Sequence, residues 1–153
     1  MSHGFRFPSH RLLELIKAAK CLRSGQKAAF KDEGDKGKKL VLRLDLVDGP
    51  FADFVLHVSC YDAADPTTYK ATLVLESERV RSVHYGEVER TKFFKKYLPK
   101  GWHENIVDPN LPTSEAQNRH REVPGFAPTD LEDFLRRIAA LWHIDLDFEE
   151  RLL

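Results

Sequence analysis

The sequence predicts an α+β domain: an antiparallel meander of about four strands, with an N-terminal and a C-terminal helix packed on one face. Three observations carry that prediction. Leu40, Leu42, Leu44 and Leu46 recur at every second position with Arg43 and Asp45 between them, the period of a half-buried strand. Comparable alternating runs follow as far as Tyr85, separated by turn residues, which is how consecutive antiparallel strands read. Thr129-Asp130-Leu131-Glu132 then precedes an apolar stripe at helical spacing, the signature of a capping box opening an amphipathic helix.

At the start of the chain, Pro8 and Ser9 precede Leu12, Leu15, Ile16, Ala19 and Leu22, so a helix is expected from a Ser9 N-cap to Ser24-Gly25. Residues 24–39 are polar and punctuated by glycine, and read as a flexible connection with a short extended piece at Ala28 to Phe30. Strand one runs from Leu40 to Val47, and Asp48-Gly49-Pro50 turns it into strand two, Phe51 to Tyr61. There Ala52, Phe54, Leu56, Val58 and Cys60 share the apolar face, opposite Asp53, His57, Ser59 and Tyr61. Strand three, Thr68 to Glu76, points Tyr69, Ala71, Leu73 and Leu75 inward and Lys70 and Thr72 outward. Strand four, Arg79 to Tyr85, sets Arg79, Arg81 and Tyr85 on one side and Val80, Ser82 and His84 on the other. A short helix is expected over Val88 to Leu98, ended by Pro99 and Gly101. Gly101 to Ala127 shows neither period and reads as a long irregular loop, which in a compact domain is usually functional or mobile, and is taken as a candidate site loop. The capped helix reaches Trp142, with Leu131, Phe134, Leu135, Ile138 and Leu141 in its stripe. The tail fits either a short strand at Ile144 to Phe148 or a last helical turn.

A chain of 153 residues is long enough to bury a core without disulfide or metal, and is read as one domain, 1–153. Lys plus Arg and Asp plus Glu number 24 each, so no overall basicity attracts nucleic acid and only a local patch would do so. Cys21, in the first helix, and Cys60, on an apolar strand face, form no CxxC and read as buried reduced thiols. The first residues hold no uninterrupted apolar stretch of signal or membrane-span length, so a cytoplasmic protein without membrane association is expected.

No Walker loop, GxGxxG, HExxH, GxSxG or cysteine-rich zinc pattern occurs, which withdraws support from nucleotide hydrolysis and zincin chemistry and implies no cofactor. Imidazoles remain, because they titrate near neutral pH. His103 lies between Trp102 and Glu104, where the carboxylate would orient it as general acid or base. A surface loop pinned by Trp102 accounts for the same residues. His84 follows Arg79 and Arg81 on strand four, where Arg81 would hold a phosphate by its planar fork while His84 moves a proton. Arg43, His57, Lys70 and Arg81, interleaved with Tyr61 and Tyr85, make a basic patch for a nucleic-acid strand. Asp45 and Asp53 on that face point to cross-strand ion pairs instead. His84, His103 and His120 carry no metal-ligand spacing, and no metal is assigned.

The two-faced meander, the run Arg79-Val-Arg-Ser-Val-His84, then Gly101-Trp-His103 and the closing Phe126-Ala-Pro-Thr-Asp-Leu-Glu-Asp-Phe-Leu helix resemble the TumE-like small proteins of bacterial toxin–antitoxin loci. The resemblance covers roughly residues 38–146 and departs from the family pattern in having only His103 after the strand, where closely spaced histidines belong. It implies a small cytoplasmic effector that acts on RNA and is neutralised by a DNA-binding antitoxin partner. On that reading the chain is a metal-independent ribonuclease: His103 or His84 moves the proton of a ribose 2′-hydroxyl and Arg81 stabilises the phosphorane charge. The opposing reading is a non-catalytic module that docks protein or nucleic acid through its polar sheet face or long loop. Arg43, His57, Lys70, Tyr85 and Trp102 are the candidate contacts.

Overall fold

A strand that alternates apolar and polar side chains buries one face and wets the other, and the middle of this chain is built on that rule. The computed structural model describes residues 9–26, 29–32, 34, 37–86, 89–90, 97–107 and 119–146. In chain order its elements begin with α1 (Ser9–Lys17), β1 (Lys20–Leu22), β2 (Lys31–Asp32), β3 (Lys38–Leu46), β4 (Phe54–Cys60), β5 (Lys70–Leu75) and β6 (Glu78–Gly86). They continue with β7 (Glu89–Arg90), β8 (Tyr97–Leu98), β9 (Gly101–Ile106), β10 (Arg119–Glu122), α2 (Leu131–Leu141) and β11 (Ile144–Asp145). Leu40, Leu42 and Leu44 of β3, Phe54, Leu56 and Val58 of β4, and Ala71, Leu73 and Leu75 of β5 are buried in one core. The apolar residues of α1 (Leu12, Leu15, Ile16) and of α2 (Leu131, Phe134, Leu135, Ile138) join the same core.

The expected meander of about four strands with two helices on one face is overturned, because the sheet has nine strands among the described residues and mixed pairing. Its order is β10-β9-β6-β5-β4-β3-β1-β11, with β2 joined to β3 off that path, while β7 and β8 pair separately. Neighbours from β3 to β10 run antiparallel, whereas β1 and β11 are parallel, so the two ends of the described chain meet at one edge. The helices are minor partners of nine and 11 residues.

Four local expectations fail for identifiable reasons. The first helix does not reach Leu22, because Lys20 turns back and is fully buried. Its Nζ donates to the carbonyls of Leu15 (3.1 Å), Ile16 (2.7 Å) and Ala18 (2.7 Å), closing the helix C-terminus. Burial pulls the Lys20 ammonium down to about 7, with the Arg81 charge acting in the same direction. Cys21 therefore lies on a strand rather than a helix. The irregular loop from Gly101 to Ala127 contains β9 and β10; residues 108–118 lie outside the described residues. The helix expected over Val88 to Leu98 has paired strands at both of its ends, and residues 91–96 lie outside the described residues. In the tail, the strand alternative holds at Ile144–Asp145.

The fourth expectation is the facing of strand four, and its failure shapes the site. Leu73 pairs with Arg81 but Val74 pairs with Arg79, so Val80 is an extra residue in β6. Such a bulge changes which side chains share a face. Val80, Arg81 and Val83 are buried, with Arg81 and Val83 alternating toward the core, and Ser82 and His84 stand opposite with Arg79; Val80 and Arg81 at the bulge also border the cavity on that outer side. One glycine is demanded by close approach: Gly37, at φ +86°, lies against the end of β4, where a Cβ would run into the Cys60 carbonyl. No helix among the described residues is long and apolar enough to cross a membrane.

The capping box is displaced by one residue. Asp130 is the extended N-cap of α2 and its carboxylate accepts from the Asp133 amide at 2.8 Å. Asp133 in turn accepts from the Thr129 amide at 3.0 Å, so an Asp130–Asp133 pair replaces the expected Thr129–Glu132 pair. Asp130→Ala is expected to lower stability by about 1 kcal/mol and Thr129→Ala by clearly less. Urea unfolding checks this ordering, and a larger loss for Thr129→Ala would contradict the assignment.

Candidate functional site

The strand register lays the outward side chains in two rows across the sheet. One row runs Val41, His57, Thr72, Ser82, Asn105 and His120 from β3 to β10. The next runs Lys39, Ser59, Lys70, His84, His103 and Glu122. A cavity of about 690 Å³ opens on this face, lined by His57, Lys70, Thr72, Arg79, Ser82 and Asn105 among others. Its walls are mostly polar, which suits a hydrated or charged ligand over an apolar one.

The charges are distributed unevenly. Arg23 pairs with Asp45 and Asp53, and Arg43 also reaches Asp53 at 3.4 Å. Arg136 and Arg137 pair with Glu132 and Asp133 along α2. Lys70 and Arg79 line the cavity with no acidic partner among the described residues, although Glu78 also contributes to the lining. His57 has its pKa lowered by burial and by the Lys39 charge, which keeps the ring neutral at pH 7.

His84 and His103 are cross-strand partners with ring centroids 5.9 Å apart and planes at 89°. His103 is fully buried, and its Nε2 lies 2.6 Å from the Pro99 carbonyl oxygen. A carbonyl only accepts, so Nε2 carries a proton and donates it to Pro99. The His103 Nδ1 has no hydrogen-bond partner among the described residues. His103 thus lies beneath the surface, with His84 the more accessible of the two.

Arg81 does not join them. Its Nε donates to Glu104 at 2.8 Å and its guanidinium lies over the Trp142 ring, on the core side of the sheet. Burial pushes the Arg81 pKa down while Glu104 holds it up. Glu104, only 1 % exposed, also accepts from Trp142 Nε1 at 2.7 Å and from Arg121 Nε at 2.6 Å. Burial raises its carboxyl pKa, but the Arg81 charge and these donors outweigh burial and leave it lowered. Glu104 therefore orients Arg81 and Trp142 rather than His103, its neighbour in sequence on the opposite face.

Of the expected ligand contacts, Arg43, His57 and Lys70 stand on this face, the last two at the cavity, and Tyr85 and Trp102 do not. Arg43 is spent on Asp53. Trp102 packs inward on Phe126 and Phe134, and Tyr85 meets the edge of Trp102 at 5.6 Å. Ser82 and Asn105 give no signal as site residues in the sequence because β9, which sets their register, has a carboxylate in an inward slot. Simple alternation places Arg79 with Arg81, and the bulge separates them. No group of three His, Cys, Asp or Glu side chains among the described residues is arranged to hold a metal.

No family model matches the chain, and neither a curated protein nor a solved structure matches it. Function therefore rests on the geometry.

Gly86, at the end of β6, packs under both imidazoles: a Cβ there would stand 2.9 Å from His103 Nδ1 and 3.4 Å from His84 Nε2. Gly86→Ala is expected to displace the His103 ring and to lower stability by about 1–3 kcal/mol. Unfolding midpoints and histidine ring NMR shifts check this, and no change in either would show that the rings do not rest on the glycine.

Proposed function

We propose that the outer face of the sheet binds single-stranded nucleic acid, with phosphates held by Lys70 and Arg79. The observation that carries this reading is the contrast in pairing: the arginines beside carboxylates, Arg81 of the cavity lining among them, are matched, and Lys70 and Arg79 have no acidic partner among the described residues. A chain with no net charge can still attract a polyanion through such a local pair. Tyr85 and Trp102 pack inward, so stacking on those rings contributes nothing, while Tyr61 at the end of β4 is exposed. Binding is accordingly modest and steeply salt-dependent.

A second reading, RNA cleavage, is favoured by the position of His84 between Lys70 and His103 on one row. There His84 takes the proton of a ribose 2′-hydroxyl and Lys70, in place of Arg81, steadies the charge on phosphorus. The resemblance to TumE-like toxins supports that reading, with an antitoxin as the protein partner.

Fluorescence anisotropy of a labelled single-stranded oligonucleotide over a salt series tests the binding. Lys70→Ala and Arg79→Ala are each expected to weaken it and to flatten the log–log salt slope by about 0.7. Arg137→Ala, whose guanidinium is held by Asp133 on α2, should leave it unchanged. Absence of saturable binding at low salt, or an equal loss with Arg137→Ala, would overturn the proposal. Intact RNA after incubation with the protein would leave a binding module and remove the catalytic reading.

A further inference from the structure

The row of outward side chains that passes through Lys70 begins one strand beyond β3. Lys31 of β2 is the register partner of Lys39, so Lys31, Lys39, Ser59, Lys70 and His84 follow one another from β2 to β6. The lysines are exposed, and none has an acidic partner among the described residues. The row turns acidic at its opposite end, at Glu122 on β10. Strands lie about 4.8 Å apart, so the lysines span about 14 Å across the sheet, more than one phosphate fills. Burial and the Lys39 charge together lower the His57 pKa, so Lys39 acts on the cavity although it stands outside the lining. Tyr61, two residues beyond Ser59, is 73 % exposed. The nearby carboxylates of Asp32 and Asp62 accept from the Gly34 and Ala64 amides in their own turns.

We infer that a bound nucleic-acid strand crosses the sheet along this row, at right angles to the β-strands, with phosphates on Lys70, Lys39 and Lys31 and a base stacked on Tyr61. The inference rests on the nucleic-acid reading above and carries the site beyond the cavity. A compact anion is held by Lys70 and Arg79 alone and gains nothing from Lys31. A linear polyanion neutralises each lysine it passes and releases counterions as it does so. Unpaired bases offer a face that an open tyrosine ring covers, whereas a duplex keeps its bases stacked on one another. Both helices pack on the core side of the sheet, so neither lies across the row.

The test measures the anisotropy of a labelled single-stranded oligothymidylate of about ten nucleotides, within the length such a surface engages, over a salt series with the full chain. Lys31→Ala and Lys39→Ala are each expected to flatten the log–log salt slope by about 0.7. Tyr61→Ala should weaken binding about tenfold, the worth of one stacked base, at an unchanged slope. Lys17 is exposed at the end of α1, which packs on the other face, and Lys17→Ala should alter neither quantity. All of these side chains are exposed, so their loss leaves the fold in place. An unchanged slope with Lys39→Ala, an unchanged affinity with Tyr61→Ala, or an equal loss with Lys17→Ala would overturn the inference. Losses confined to Lys70→Ala and Arg79→Ala would overturn it while leaving the nucleic-acid reading standing. Absence of binding by the unaltered protein would remove both.

Discussion

The Glu104 carboxylate is the point through which the second half of the sheet is held. It stands on β9, almost wholly out of water, and takes hydrogen bonds from Arg81 on β6, Arg121 on β10 and Trp142 at the end of α2. A carboxylate cannot be buried without such partners, because the desolvation penalty is several kcal/mol on the order-of-magnitude scale for an unpaired ion. The same four side chains fix the order of three strands and seat the helix that closes the core. An apolar residue at position 104 would pack there without specifying which neighbours belong together.

That internal network also decides what the opposite face has to offer. The bulge at Val80 turns Arg81 toward the core, and Glu104 is waiting for it. Arg81 still contributes to the cavity lining with its charge taken by Glu104, so the lining cations without an acidic partner among the described residues are Lys70 and Arg79, on the face where His57, Ser82 and His84 also stand. The proposed site is thus a by-product of a strand irregularity: one extra residue separates two arginines only two positions apart in sequence. Cross-strand pairing of Arg43 with Asp53 removes a further cation from the face.

Much of β3, β4 and β5 is legible in the sequence because each sets an unbroken apolar face against a polar one, and an apolar period of two fits a half-buried strand and no helix. Outward His57 and Lys70 are legible for the same reason. The strand β9 is not, since its inward positions read Trp102, Glu104 and Ile106, and a charge in a core slot breaks the pattern. Arg-His-Arg-Glu in β10 carries no apolar signal at all. A single-residue slip flips a strand's faces, and the Val80 bulge does so for Arg81. The start of α2 is legible only to within one residue, because Thr129 and Asp130 are both good caps and the extended backbone and the carboxylate contact at Asp130 distinguish them.

Urea unfolding of Glu104→Gln tests the central role of that carboxylate most directly. The substitution keeps the shape and removes the charge, leaving Arg81 buried against Trp142 without its counter-ion. The expected loss is about 3 kcal/mol or more, the size seen when one partner of a buried pair is removed. A midpoint within about 0.5 kcal/mol of the unaltered protein, the range of an ordinary surface change, would contradict the account.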